Sequence, residues 1–148
     1  MPGSSTRYAV KHALALGDQS SLGDLKMRNA LCGQVLTVNC GCEEVEAVVA
    51  DTCDINTGTC GVNMISKTWD ITVGRNKPHS TIAQCTVSLS STKPIAGDKY
   101  QCHMNPFPDF NPVFPSKSYY NLGLFNTGGK LVQSATMEGV QGKPYENT

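Results

Sequence analysis

The residues able to do covalent or coordination chemistry are seven cysteines (Cys32, Cys40, Cys42, Cys53, Cys60, Cys85, Cys102) and three histidines (His12, His79, His103). No Cys-x-x-Cys pair occurs, and no histidine stands at zinc-finger spacing from another ligand. A structural metal site is therefore not expected. Cys102 and His103 are adjacent, and neighbouring side chains generally point apart. Disulfide bonding would also remove the thiolate that nucleophilic catalysis needs. A disulfide framework in an oxidising compartment is the better reading of all seven cysteines. An odd count leaves at least one thiol unpaired within a monomer, and spacing alone leaves the pairing open.

Paired carboxylates are the other chemistry to weigh. Glu43, Glu44, Glu46, Asp51, Asp54 and Asp70 share one stretch with five of the cysteines and the sole tryptophan, Trp69. Inverting glycoside hydrolysis needs one carboxyl group as proton donor and a second as base, on opposite sides of the scissile bond. No spacing among these six selects such a pair. Gly128-Gly129 does not lead from a strand into a helix, so it is no phosphate-binding loop. No cofactor is expected.

The chain that must position these residues is 148 long, which suits a single domain with one core. Twelve basic and twelve acidic residues cancel. That balance argues against nucleic acid or an anionic membrane as partner, because both need a basic field. No run approaches the length of a membrane span. Met1-Pro2-Gly3-Ser4-Ser5 has no apolar signal region, so a secreted form would be the mature one, its leader removed. No Asn-x-Ser/Thr sequon occurs.

Residues 6–16 read as a strand or a short helix, and 17–24 as a polar loop. Gln34 to Asn39 is a strand rich in Val and Thr. Gly41 marks a turn, and Val45, Ala47 and Val49 then alternate with Glu44 and Glu46, so the two segments form a hairpin. Asp51 to Gly61 reads as loop. Val62 to Asp70 predicts one short helix, capped by Asn63 or Ser66, with Ile65 and Trp69 sharing a face. Ile71 to Val73 and Gln84 to Leu89 read as short strands. Four prolines between 105 and 115 exclude a central strand and mark an extended connector carrying Phe107, Phe110 and Phe114. Tyr119 to Phe125, the turn Asn126 to Gly129 and Lys130 to Met137 read as a second hairpin. Many short strands and little helix predict an all-β fold.

A family resemblance rests on the order Ala30-Leu31-Cys32-Gly33, strand, Val48-Val49-Ala50-Asp51-Thr52-Cys53, Cys60-Gly61 and Ile65-Ser66-Lys67-Thr68-Trp69. It resembles the double-psi β-barrel of secreted expansin-like, barwin-like and kiwellin-like proteins, over about residues 6–90. The resemblance implies a six-stranded double-psi β-barrel with one short helix, to which an added C-terminal β-hairpin is joined. Within the single domain 1–148, the barrel core would be 6–93, the Pro/Phe connector 94–118 and the hairpin 119–140, stapled by about three disulfides. Where hydrolytic relatives and expansins place an Asp before the Leu-Ser of the helix start, this chain has Met64. Methionine can neither donate nor accept the proton, so the expectation is a barrel without hydrolase chemistry, not an enzyme.

The function implied is a secreted, extracellular binding protein that recognises cell-wall polysaccharide in a groove near Tyr8, Asp18, Asp51 and Trp69. Tyr119 and Tyr120, adjacent on a strand, face opposite sides, so one is a candidate contact. Each has a plainer role to weigh: Asp51 as a turn residue bonding nearby N–H groups, Trp69 as core. The alternative is a secreted factor that binds a protein, such as a protease inhibitor or a host-interaction effector. Its surface would be the Pro/Phe stretch and final hairpin. A glycoside hydrolase using Asp51 and an unmatched acid is the third reading.

Overall fold

In the computed structural model, residues 9–54, 56–97, 99–104, 122–131, 133–135 and 145–146 are described. The fold is all-β: mostly short strands, few helical turns, and a curled mixed sheet forming half a barrel. That sheet has five strands in the order β4-β1-β3-β2-β5. They are β1 (His12–Leu16), β2 (Val35–Asn39), β3 (Glu44–Thr52), β4 (Val62–Met64) and β5 (Thr86–Leu89). β1 runs parallel to β3, and every other pairing in the sheet is antiparallel.

Strict alternation explains why β3 lies in the centre. Val45, Ala47 and Val49 face a core with Leu14, Leu16, Leu31, Leu36 and Val38. Each large aliphatic side chain buried there stabilises the fold by roughly 1.5–3 kcal/mol. The other face carries a cross-strand row, in which Val48 pairs in register with Ala13 on one side and Val35 on the other. Val35 is 1% exposed on that face, so the β2 side of this row is covered.

The β1/β3 register skips one residue. Leu14 pairs with Val49 and Ala15 with Asp51, which leaves Ala50 as the extra residue of a bulge. Bulges of this kind re-aim a side chain. Two disulfides, Cys40–Cys85 and Cys53–Cys60, fasten the β2/β5 edge and the loop after β3. Among the described cysteines, Cys32 and Cys42 are free.

Five local expectations are corrected. Val62–Met64 is a strand rather than helix, because it pairs with Leu14–Leu16 of β1. The helix α1 spans only Ser66–Trp69 and has Ile65 at its cap, with no side-chain cap bond. Ile65 is extended and 52% exposed, whereas Trp69 is 8% exposed, so they do not share a buried face. Ile71–Val73 is not a strand: Asp70–Gly74 continues α1 as a wide helical turn that buries Thr72 and Val73. Finally, Asp51 belongs to β3 itself, not to the loop after it.

The second hairpin is also paired differently. β7 (Leu122–Phe125) pairs with β6 (Gln101–Met104), and β8 (Ser134–Ala135) pairs with β9 (Tyr145–Glu146). Asn126–Gly129 is no free hairpin tip, since Asn126 is 1% exposed and Thr127 8%. The Asn126 amide accepts the Ile95 N–H at 3.0 Å and donates to the carbonyls of Ile95, Gly97 and Lys99 at 2.9, 3.3 and 3.2 Å. Thr127 exchanges hydrogen bonds with the buried Gln34 side chain at 3.0 and 3.2 Å. The segment is an anchor, because these buried polar groups find their partners only when the chain is docked. Phe107, Phe110 and Phe114 lie outside the described residues. Among the described residues, no helix is long and apolar enough to cross a membrane.

Candidate functional site

A groove of about 660 Å³ opens on the sheet face opposite the main core. Its lining comes from four segments: Val10 to Ala13 at the start of β1, Cys32 and Gly33, Val48 to Ala50 of β3, and Phe125. The register places Ala13 beside Val48, so small and aliphatic side chains form the floor. The bulge gives the groove Ala50, an exposed residue. This volume falls in the range typical of ligand sites, roughly 300–1,000 Å³.

Phe125 makes one wall. Gly33 has φ +77°, and a Cβ built on it would stand 2.6 Å from Phe125 Cε1. Only glycine permits both the backbone conformation and the ring's approach. The wall is thus set by a residue without a side chain.

Three polar side chains reach the groove. Lys11 is exposed and is the one formally charged lining residue. His12 Nδ1 lies 3.0 Å from the Thr68 hydroxyl oxygen, and Thr68 is fully buried. Cys32 is exposed as a residue, yet protein packed round its sulfur pushes the thiol above its ordinary 9.0 by burial. A thiol so shifted stays protonated near neutral pH, which makes it a poor nucleophile. Among the described residues, no group of three or more His, Cys, Asp and Glu side chains could hold a metal ion.

The residues singled out by sequence fall elsewhere or at the margin. Asp51 follows Ala50 directly and is exposed; its Oδ1 accepts the Thr52 N–H at 2.8 Å. Asp18 uses both oxygens on the 54–59 loop, accepting the Asn56 N–H at 2.7 Å and the Gly58 N–H at 3.0 Å. Trp69 faces inward: its indole N–H donates to the Lys77 carbonyl at 3.0 Å, and its ring meets His79 edge-on at 6.2 Å. His79 in turn contacts Asp70 at 2.8 Å. Met64 packs against the core beside Leu14. Tyr8, Tyr119 and Tyr120 lie outside the described residues.

Sequence reasoning missed Lys11, Ala13, Val48, Ala50 and Phe125 as a group. Val48 breaks the alternation of β3 as an apolar residue at an outward position, and that was the available signal. No protein-family model, no curated protein and no solved structure matches the chain.

Proposed function

We propose that the chain is a secreted, non-catalytic binding protein on a double-psi-type barrel, and that its groove takes apolar side chains of a partner protein. The carrying observation is the lining: an aliphatic floor of Ala13 and Val48, an aromatic wall of Phe125 and a single charge, Lys11. Apolar pockets with few polar groups suit anchor residues of a partner. Two disulfides support an oxidising compartment, and hence secretion. Met64 supports the non-catalytic reading, since its thioether packs on the core and can neither donate nor accept the proton that hydrolysis moves.

Cell-wall polysaccharide is the second reading, and the exposed Asp51 beside the groove favours it. Sugars prefer an open aromatic platform, and Trp69 is 8% exposed.

Peptide display against the immobilised protein separates the two. Ala50→Arg fills the groove from an exposed position. Peptides with an apolar anchor should bind the wild type and lose at least about tenfold in affinity on Ala50→Arg, about 1.4 kcal/mol. Retention on insoluble cellulose, chitin or peptidoglycan that disappears in Asp51→Asn, with no peptide selected, would sink the protein-partner reading.

A further inference from the structure

Building on the reading of the groove as a protein-partner site, we propose that the groove is polarised. Lys11 at one end and Asp51 at the other select an extended partner segment. That segment carries an acidic and a basic side chain four residues apart, with the apolar anchor midway between them.

The bulge in β3 sets one of the two charges. Val45, Ala47 and Val49 face the core, and unbroken alternation would send Asp51 the same way. Ala50 is inserted between the Leu14–Val49 and Ala15–Asp51 pairs, so Asp51 comes level with Ala15 instead. Ala15 alternates with the buried Leu14 and Leu16, which puts it, and Asp51 beside it, on the groove face. Asp51 is exposed. Its Oδ1 accepts the Thr52 N–H, and its Oδ2 makes no hydrogen bond among the described residues.

Lys11 supplies the other charge. It lines the groove and stands two positions before Ala13, on the same face. In register, Glu46 comes beside it, next to Ala47, the partner of His12. Glu46 is engaged elsewhere: its Oε1 accepts the hydroxyls of Ser90 and Thr92, each at 2.7 Å. Among the described residues, Lys11 makes no ion pair.

The spacing follows from the strands. Lys11 and Ala15 are four positions apart, about 13 Å along an extended chain. Ala13 and Val48, the apolar floor, lie halfway. An extended peptide has the same rise and sends every second side chain to one face. An acid, an apolar residue two positions on and a base two further therefore meet Lys11, the floor and Asp51 together. The reverse order fits a peptide that runs the other way.

The test measures fluorescence anisotropy with end-blocked peptides of five kinds: Glu-x-Leu-x-Lys, Lys-x-Leu-x-Glu, Glu-x-Leu-x-Glu, Lys-x-Leu-x-Lys and Ser-x-Leu-x-Ser. The better mixed-charge peptide should bind the wild type about fivefold more tightly than either like-charged one. Asp51→Lys should shift the preference to the doubly acidic peptide, and Lys11→Glu to the doubly basic one. Both residues are exposed, and each variant is read by a gain of binding, so misfolding cannot imitate the result. If all five bind the wild type within twofold and all weaken on Ala50→Arg, the apolar groove stands and its polarity is overturned. Preferences that stay the same in both charge variants overturn it too. If no peptide binds, whether or not polysaccharide is retained, the polarity and the protein-partner reading fall together.

Discussion

Replacing Asn126 tests whether the C-terminal segment is fastened to the half-barrel by one buried amide. Its Oδ1 accepts one hydrogen bond and its two N–H groups serve three carbonyls. An amide nitrogen has two protons, so the arrangement amounts to about three full bonds at about 1 kcal/mol each. Asn126 also has φ +64°, a left-handed backbone that costs alanine roughly 1–2 kcal/mol. Asn126→Gly should lose about 3 kcal/mol. Asn126→Ala should lose about 1 kcal/mol more, because glycine keeps the backbone without strain. Urea unfolding followed by Trp69, the single tryptophan, reads the loss. At a slope of about 2 kcal/mol per molar, the glycine variant's midpoint should fall by about 1.5 M. If the segment detaches before the five-stranded sheet unfolds, the midpoint holds and proteolytic cleavage within residues 100–131 accelerates at least tenfold instead. Both variants within about 0.5 kcal/mol of wild type, with unchanged cleavage, would refute the anchoring argument.

Three further outcomes follow from the same contacts. Gly33→Ala forces a Cβ into the Phe125 ring at positive φ and should destabilise by about 2 kcal/mol; Phe125→Ala should relieve part of that in a double-mutant cycle read by thermal melts. Cys40→Ser/Cys85→Ser opens a closed segment with a sequence separation of 45 and should cost about 4 kcal/mol, against about 2.5 kcal/mol for Cys53→Ser/Cys60→Ser with a separation of 7, by loop-closure entropy measured in denaturant. Burial raises the folded pKa of the Cys32 thiol above the unfolded 9.0. The protonated form is the one that the fold favours, so this contribution is fully present below pH 9.0 and is lost as pH rises through the higher folded value. Stability against pH should therefore drop more steeply above that point than in Cys32→Ser, and equal slopes would contradict the burial.

The strands were legible where one face is buried and the other wet. Val45, Ala47 and Val49 against Glu44 and Glu46 located β3, and Gly41 located the hairpin turn. Val62–Met64 was read as helix because three residues carry no period of their own; the edge of β1 pulled them into the sheet. Ile71–Val73 looks like a strand by composition, but it follows α1 directly and closes a wide turn instead. Asn126-Thr127-Gly128-Gly129 has hairpin chemistry, and its positive-φ residues do make a turn. What no local pattern encodes is that Asn126 bonds a loop some thirty positions earlier. The groove escaped for the same reason, because its lining is drawn from four separate segments with no shared motif. Trp69 does fall on the short helix, whereas Met64 lies in strand β4, and the surroundings of both depend on tertiary packing.

The parallel pairing of β1 with β3 sets an order of events during synthesis. β2 and β3 meet through a tight turn, with Asn39 opposite Glu44. His12 pairs with Ala47, a separation of 47 − 12 = 35 residues. Contacts of such range close slowly, after local ones. Between the emergence of Leu16 and that of Thr52, the ribosome adds 52 − 16 = 36 residues. At about 5–20 residues per second, that interval is roughly 2–7 s. Throughout it, Leu14 and Leu16 have no sheet to join, and they stand ready for a chaperone before they are ready for the sheet.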